Sequence, residues 1–307
     1  MAKIAVDIAG IKMKNPVMVA SGTFGSGKDY ADFMNLGDIG AIIAKSITLK
    51  PREGNPPPRI CETPSGMLNS IGLQNAGIDS FLKEDLPYLA KFNVPFIINI
   101  AGESADEYAQ LAKRLNDVPG ISGIEVNISC PNVKQGGMQF GIDPKLTAEV
   151  IGAVKKATKL PVIAKLSPNV TDIRIIAKAA ESAGADAISA INTMLGMAID
   201  INSRRPKLSM AVGGLSGPAI RPIAVRMVCE IYKTVKIPVI GIGGIMNADD
   251  AIEFILAGAS AVQVGTCNFI NPKAAAEIIE GIKKYLIANK LESIKDIVGQ
   301  VKTGTCD

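Results

Sequence analysis

Eight short apolar runs alternate with amphipathic segments of helical period along a chain of 307 residues, in which hydrophobic residues make up 48% and aromatics only 4%, with no Trp. These observations predict an α/β fold, a (β/α)8 TIM barrel with an N-terminal β-hairpin and long loops on the catalytic face. Apolar runs built from Ile, Val, Ala and Leu suit parallel strands buried on both faces. Strand–helix alternation implies right-handed parallel units, and eight units close a barrel. An open, doubly wound sheet is the competing arrangement, because periodicity alone does not show closure. No linker divides the chain, so residues 1–307 read as one domain.

In order, Lys3 to Lys14 alternates apolar and polar residues around Ala9-Gly10, the pattern of a small hairpin that could close the bottom of a barrel. Strands follow at Pro16 to Ala20, Ala41 to Ser46, Pro95 to Ile100, Gly123 to Ile128, Pro161 to Leu166, Ala187 to Ile191, Pro238 to Ile242 and Ala261 to Val264. Helices are expected over Asp79 to Lys91, Ser104 to Leu115, Asp143 to Thr158, Thr171 to Ala183, Pro218 to Thr234, Asn247 to Leu256 and Pro272 to Ile287. Several open on Ser, Thr, Asp or Asn at an N-cap position, and Gly184 and Gly258 stand where a C-cap would end a helix. Three connections are long: Ile47 to Ile78, Ser129 to Ile142 and Thr193 to Gly217. All follow strands, so in a barrel all rise from the carboxyl-terminal face, where catalytic groups are mounted.

Composition excludes several kinds of chemistry. The formal charge of +4 is small and no dense Lys/Arg run occurs, which argues against nucleic acid. Five widely spaced cysteines without a CxxC pair read as a reduced, cytoplasmic protein with no zinc or iron–sulfur site of its own. Histidine is absent, which removes Ser/His and Cys/His catalytic pairs. No apolar run approaches the roughly 20 residues that span a bilayer, and no secretory pattern opens the chain.

What remains points to the strand ends. Gly241-Ile242-Gly243-Gly244 and Gly265-Thr266 each lie between a strand and a helix, after strands seven and eight, where barrels commonly bind phosphate; Gly217 is a third candidate. Tight turns need Gly for steric reasons as well. Lys45-Ser46, Asn99, Asn127, Lys165 and Asn192-Thr193 put cations and amides at the other strand ends, with no matching set of carboxylates. Buried lysines and amides need partners, so this ring predicts an anionic, hydrogen-bond-rich ligand. Cys130 follows the fourth strand, between Asn127 and Asn132. A lone cysteine is usually an inert small hydrophobe, but this position favours a reactive thiol.

The chain resembles the class 1 dihydroorotate dehydrogenases over nearly its whole length. The resemblance is carried by Asn15-Pro16-Val17, Ala20 to Gly25, Lys45-Ser46, Asn69 to Asn75, Glu125 to Val133, Gly136-Gly137, Ala164-Lys165-Leu166, Asn192-Thr193, Gly213 to Gly217, Gly243-Gly244 and Gly265-Thr266. It implies a barrel that holds FMN through Ala20, Ser21, Lys45, Ser46, Asn99, Asn127, Lys165, Ile191, Gly217, Gly243, Gly244, Gly265 and Thr266. It implies that dihydroorotate meets Lys45, Asn69, Ser70, Ile71, Gly72, Leu73, Asn127, Asn132, Asn192 and Thr193, and that Cys130 is the base that takes the C5 proton while hydride passes from C6 to FMN N5. A thiolate is required, and the ordinary thiol pKa of about 8.5 makes a cationic or hydrogen-bonding site useful.

The run Cys130 to Met138 resembles the NAD-linked 1B catalytic subunit, which implies a partner subunit carrying FAD and a 2Fe-2S cluster, in an assembly of two catalytic and two electron-transfer chains. The absence of cluster-ligand cysteines and of a dinucleotide fingerprint after the first strand agrees with that expectation. A fumarate-using 1A enzyme, a phosphate-binding aldolase or isomerase with a Schiff base on Lys45 or Lys165, and a non-catalytic flavin-binding subunit are the alternatives. Cys267 and the lack of His depart from the family pattern.

Overall fold

The computed structural model describes residues 2–129, 131–132 and 138–302. Eight parallel strands close into a barrel in sequence order: β1 (Val17–Val19), β2 (Ala41–Ile47), β3 (Phe96–Ile100), β4 (Ile121–Asn127), β5 (Val162–Leu166), β6 (Ala187–Ala190), β7 (Val239–Ile242) and β8 (Ala261–Val264). Val262 of β8 pairs with Val17 of β1, which seals the ring and decides against the open sheet. Strands β3 and β5 to β8 are buried along their whole length, as expected when helices cover the outer face and side chains fill the inner one.

Local chemistry sets the helix starts. Ser104, Asp143, Asp172 and Asn247 are N-caps whose side chains accept backbone N–H groups of the first turn of helices Ala105–Asn116, Pro144–Ala157, Ile173–Ser182 and Ala248–Leu256. Capping of this kind satisfies donors that no helical carbonyl reaches. Gly184 and Gly258 end helices with φ of 98° and 119°. The hairpin Val6–Ile8/Ile11–Met13 turns at Ala9 and Gly10, both at positive φ, and buries Ile8, Ile11 and Met13. A methyl added at Gly123 would meet Ile11 Cδ1 at 2.9 Å, so the hairpin packs near the start of β4, at the barrel's closed end.

The long connections are more structured than their composition indicates. Ile60–Thr63, Gly66–Asn69, Met194–Met197 and Val212–Ser216 form a four-stranded antiparallel sheet. Gly214 pairs with Asn69, tying the loop after β2 to the loop after β6. Local sequence patterns do not register pairing between segments so far apart. Among the described residues no helix is long and apolar enough to cross a membrane.

Candidate active site

Alternation along β4 puts Glu125 and Asn127 on one face of the strand, and Glu125 is a fully buried carboxylate inside the barrel. Glu125 Oε2 accepts Asn99 Nδ2 of β3 at 2.6 Å, and Oε1 accepts Ser189 Oγ of β6 at 2.8 Å and Gln263 Nε2 of β8 at 2.7 Å. Lys165 Nζ of β5 lies 3.6 Å from Oε2. Four strands besides its own therefore converge on one anion. The expectation of a cation and amide ring without carboxylates is corrected here: the ring encloses Glu125. Sequence reading passed over Gln263 and Glu125 as site groups. The available signal was a polar residue inside an otherwise apolar strand, which must find partners when buried.

The two lysines differ. Lys165 is 6% exposed and ion-paired, whereas Lys45, at the end of β2, is exposed at the mouth rather than buried. Loss of hydration among nearby protein atoms, and then the like charge of Arg59, still hold the Lys45 ammonium below the ordinary lysine pKa. Such a group is poised to gain from an arriving anion.

The rim can be followed by contact. Ala20, buried after β1, donates its N–H to Val264 O at 2.9 Å, and Ser21, also buried, opens a short helix. A methyl at Gly265 would lie 3.7 Å from Ala20 Cβ, and Thr266 Oγ1 donates to Ser216 Oγ at 2.8 Å, beside Gly217. A methyl at Gly244 would stand 2.8 Å from Gly217 O and 2.8 Å from Arg221 Cβ, and one at Gly243 would lie 3.6 Å from Ile191 Cγ1. Gly217, Gly243 and Gly244 have φ of 97°, 132° and 75°, which only glycine adopts without strain. The turn is pinned from outside by Arg221, which pairs with Asp250, whose Oδ2 accepts Met246 N–H at 2.8 Å. The glycine positions thus form one continuous cradle.

On the other side, Asn127 Oδ1 accepts Asn192 Nδ2 at 3.1 Å, Asn192 also donates to Ser129 Oγ at 2.8 Å, and Thr193 N–H donates to Asn192 Oδ1 at 2.8 Å. Asn69 Nδ2 donates to Gly214 O at 3.2 Å, and a methyl at Gly214 would strike Thr193 Oγ1, so Asn69 and Thr193 flank the same backbone. Ser70, Ile71 and Gly72 are held to a neighbouring loop through Asn55, and Leu73 has a φ of 57°. Asn132 belongs to a short strand paired with Met138. Ser46 follows Lys45 near the end of β2, half-buried. Cys130 lies outside the described residues.

A closed barrel whose carboxyl rim joins a glycine cradle to a lysine- and amide-lined interior has the arrangement of a barrel enzyme. Comparison with known proteins narrows this class. The dihydroorotate dehydrogenase family matches residues 3–286, and the chain belongs to that family. The dihydroorotate dehydrogenase B (NAD(+)), catalytic subunit, of Thermoanaerobacter sp. (strain X514) is 56% identical over 299 residues, covering 97% of this chain and 99% of that one. Its counterparts from Citrifermentans bemidjiense and Desulforudis audaxviator are 57% and 58% identical, each over 97% of this chain and 98% and 97% of theirs.

Proposed function

We propose that this chain oxidises (S)-dihydroorotate to orotate in pyrimidine synthesis, as the cytoplasmic catalytic subunit of an NAD-linked enzyme. The observation that carries the reading is near-full-length identity above half with catalytic subunits of that name. The site's chemistry supports FMN as cofactor. Asn99 Oδ1 and Gln263 Oε1 are buried acceptors without a donor among the described residues, which suits a ring bearing N–H groups. The cradle at Gly217, Gly243, Gly244, Gly265 and Thr266 suits a phosphoryl group, because backbone can approach closely there. FMN, when bound, supplies the two-electron acceptor.

The chain's own groups divide the remaining work. Ala20, Ser21, Ser46, Asn99, Asn127, Lys165 and Ile191 hold the flavin. Lys45 takes the substrate carboxylate, with Asn69 to Leu73, Asn132, Asn192 and Thr193 on the ring amides. The Asn192 bonds to Asn127 and Ser129 order the chain just before Cys130 in the sequence. Cys130 as thiolate takes the C5 proton. A partner subunit with FAD and a 2Fe-2S cluster carries electrons to NAD, in an assembly of two chains of each kind.

Anaerobic mixing with dihydroorotate tests the assignment: the flavin absorbance should bleach in the wild type. Cys130→Ser should retain FMN yet lose most of that reduction at neutral pH, because a hydroxyl is a far weaker base. Normal reduction kinetics in the variant would remove Cys130 from the role. The lowered pKa of Lys45 also fits an amine nucleophile; a borohydride-trapped adduct at Lys45 would favour that second reading, and none is expected.

A further inference from the structure

Glu125 is a buried ionisable group to which the proposed chemistry gives no task. An ionised carboxylate only accepts hydrogen bonds, whereas an amide side chain offers donors on one end and an acceptor on the other. Glu125 receives Asn99 Nδ2 at 2.6 Å and Gln263 Nε2 at 2.7 Å, so both amides turn their nitrogens towards it and their oxygens away. Those two oxygens are the buried acceptors that lack donors. Buried acceptors left without donors are costly, so two of them turned away from one carboxylate mark a place that lacks N–H groups. Ser189 Oγ at 2.8 Å and the Lys165 ammonium at 3.6 Å complete the hold.

We propose that Glu125 is a positioning residue for the flavin: it fixes the amide orientations of Asn99 and Gln263, so that both present acceptors, and it balances the charge of Lys165. Gln263 thereby joins the cofactor-facing groups. The inference rests on FMN being the ligand.

Glu125→Gln keeps the volume and replaces one acceptor by a donor. An amide that meets this new N–H2 must turn over and put its own N–H2 where its oxygen stood, and Lys165 loses its counter-charge. FMN binding to the folded, deflavinated full chain, read by fluorescence quenching, should weaken by about tenfold or more. The midpoint potential of the bound flavin should rise by about 30 mV or more, the two-electron equivalent of tenfold, because loss of an anion favours the reduced, more negative ring. The exchange Asn99→Asp with Glu125→Gln restores both a carboxylate and an outward acceptor. It should return affinity and potential towards wild type, where a simple packing defect would persist.

A folded Glu125→Gln protein with wild-type affinity and potential overturns the proposal. If that variant does not fold, the exchange decides: folded but without FMN recovery, it overturns the proposal as well. Failure of the wild type to take up FMN would instead overturn the functional reading, and this inference with it.

Discussion

On the proposed function, Lys45 connects solvation to substrate choice. Desolvation first, and Arg59 second, lower its pKa, so protonated Lys45 is disfavoured in the ligand-free fold. That penalty is present below the lowered pKa and relieved as pH rises through it towards the ordinary value. An orotate carboxylate reverses the balance, since an opposite charge favours the ammonium. Orotate should therefore bind with proton uptake once pH reaches the lowered Lys45 pKa and not below it, and its affinity should fall as pH rises through that pKa, as calorimetry in buffers of different ionisation enthalpy would register. Lys45→Met should weaken orotate about 10–100-fold, the scale of one charge-assisted hydrogen bond, flatten this pH dependence, and leave the ligand-free protein no less stable. Lys45, Lys165 and Asn99 were legible in the sequence as polar residues at strand ends. The role of Glu125 was less legible, because a polar residue in an apolar strand signals only that it has partners, and which they are appears once β3, β5, β6 and β8 are brought around it.

Among elements, the barrel strands were legible to within a residue or two, since each carries its own apolar run and punctuation. The four-stranded sheet was not, because Asn69 and Gly214 meet only after the barrel has placed their loops side by side. The glycine turns separate two requirements that sequence leaves merged. Gly244 needs both a φ of 75° and room beside Arg221 and Gly217, so Gly244→Ala should cost about 1–3 kcal/mol in denaturant unfolding. Gly265 has no such backbone demand, and an added methyl would meet its nearest neighbour, Ala20 Cβ, at an ordinary 3.7 Å. Gly265→Ala should change stability by under about 0.5 kcal/mol and yet, on the proposed function, weaken FMN binding, because the methyl would stand in the cradle proposed for the phosphoryl group. Unchanged FMN affinity in a stable Gly265→Ala protein would remove this turn from the cradle.

For the whole molecule, closure of eight consecutive strands leaves one open end, where the loops after β2 and β6 are paired, while the hairpin occupies the other. The proposed reaction and cofactor sites thus share a single mouth. The sequence carries no dinucleotide fingerprint after its first strand, whereas the relatives' name pairs a catalytic subunit with NAD(+). Those facts are reconciled if oxidation of dihydroorotate belongs to this chain and NAD reduction to a partner. The separation can be measured in one anaerobic cuvette. Dihydroorotate should bleach the flavin of the isolated chain, NAD added alone should leave it bleached, and NAD should restore the colour only after the electron-transfer subunit is supplied. Rapid reoxidation of the isolated chain by NAD would place the nicotinamide chemistry on this polypeptide, and rapid reoxidation by fumarate would assign it to the other electron-acceptor class.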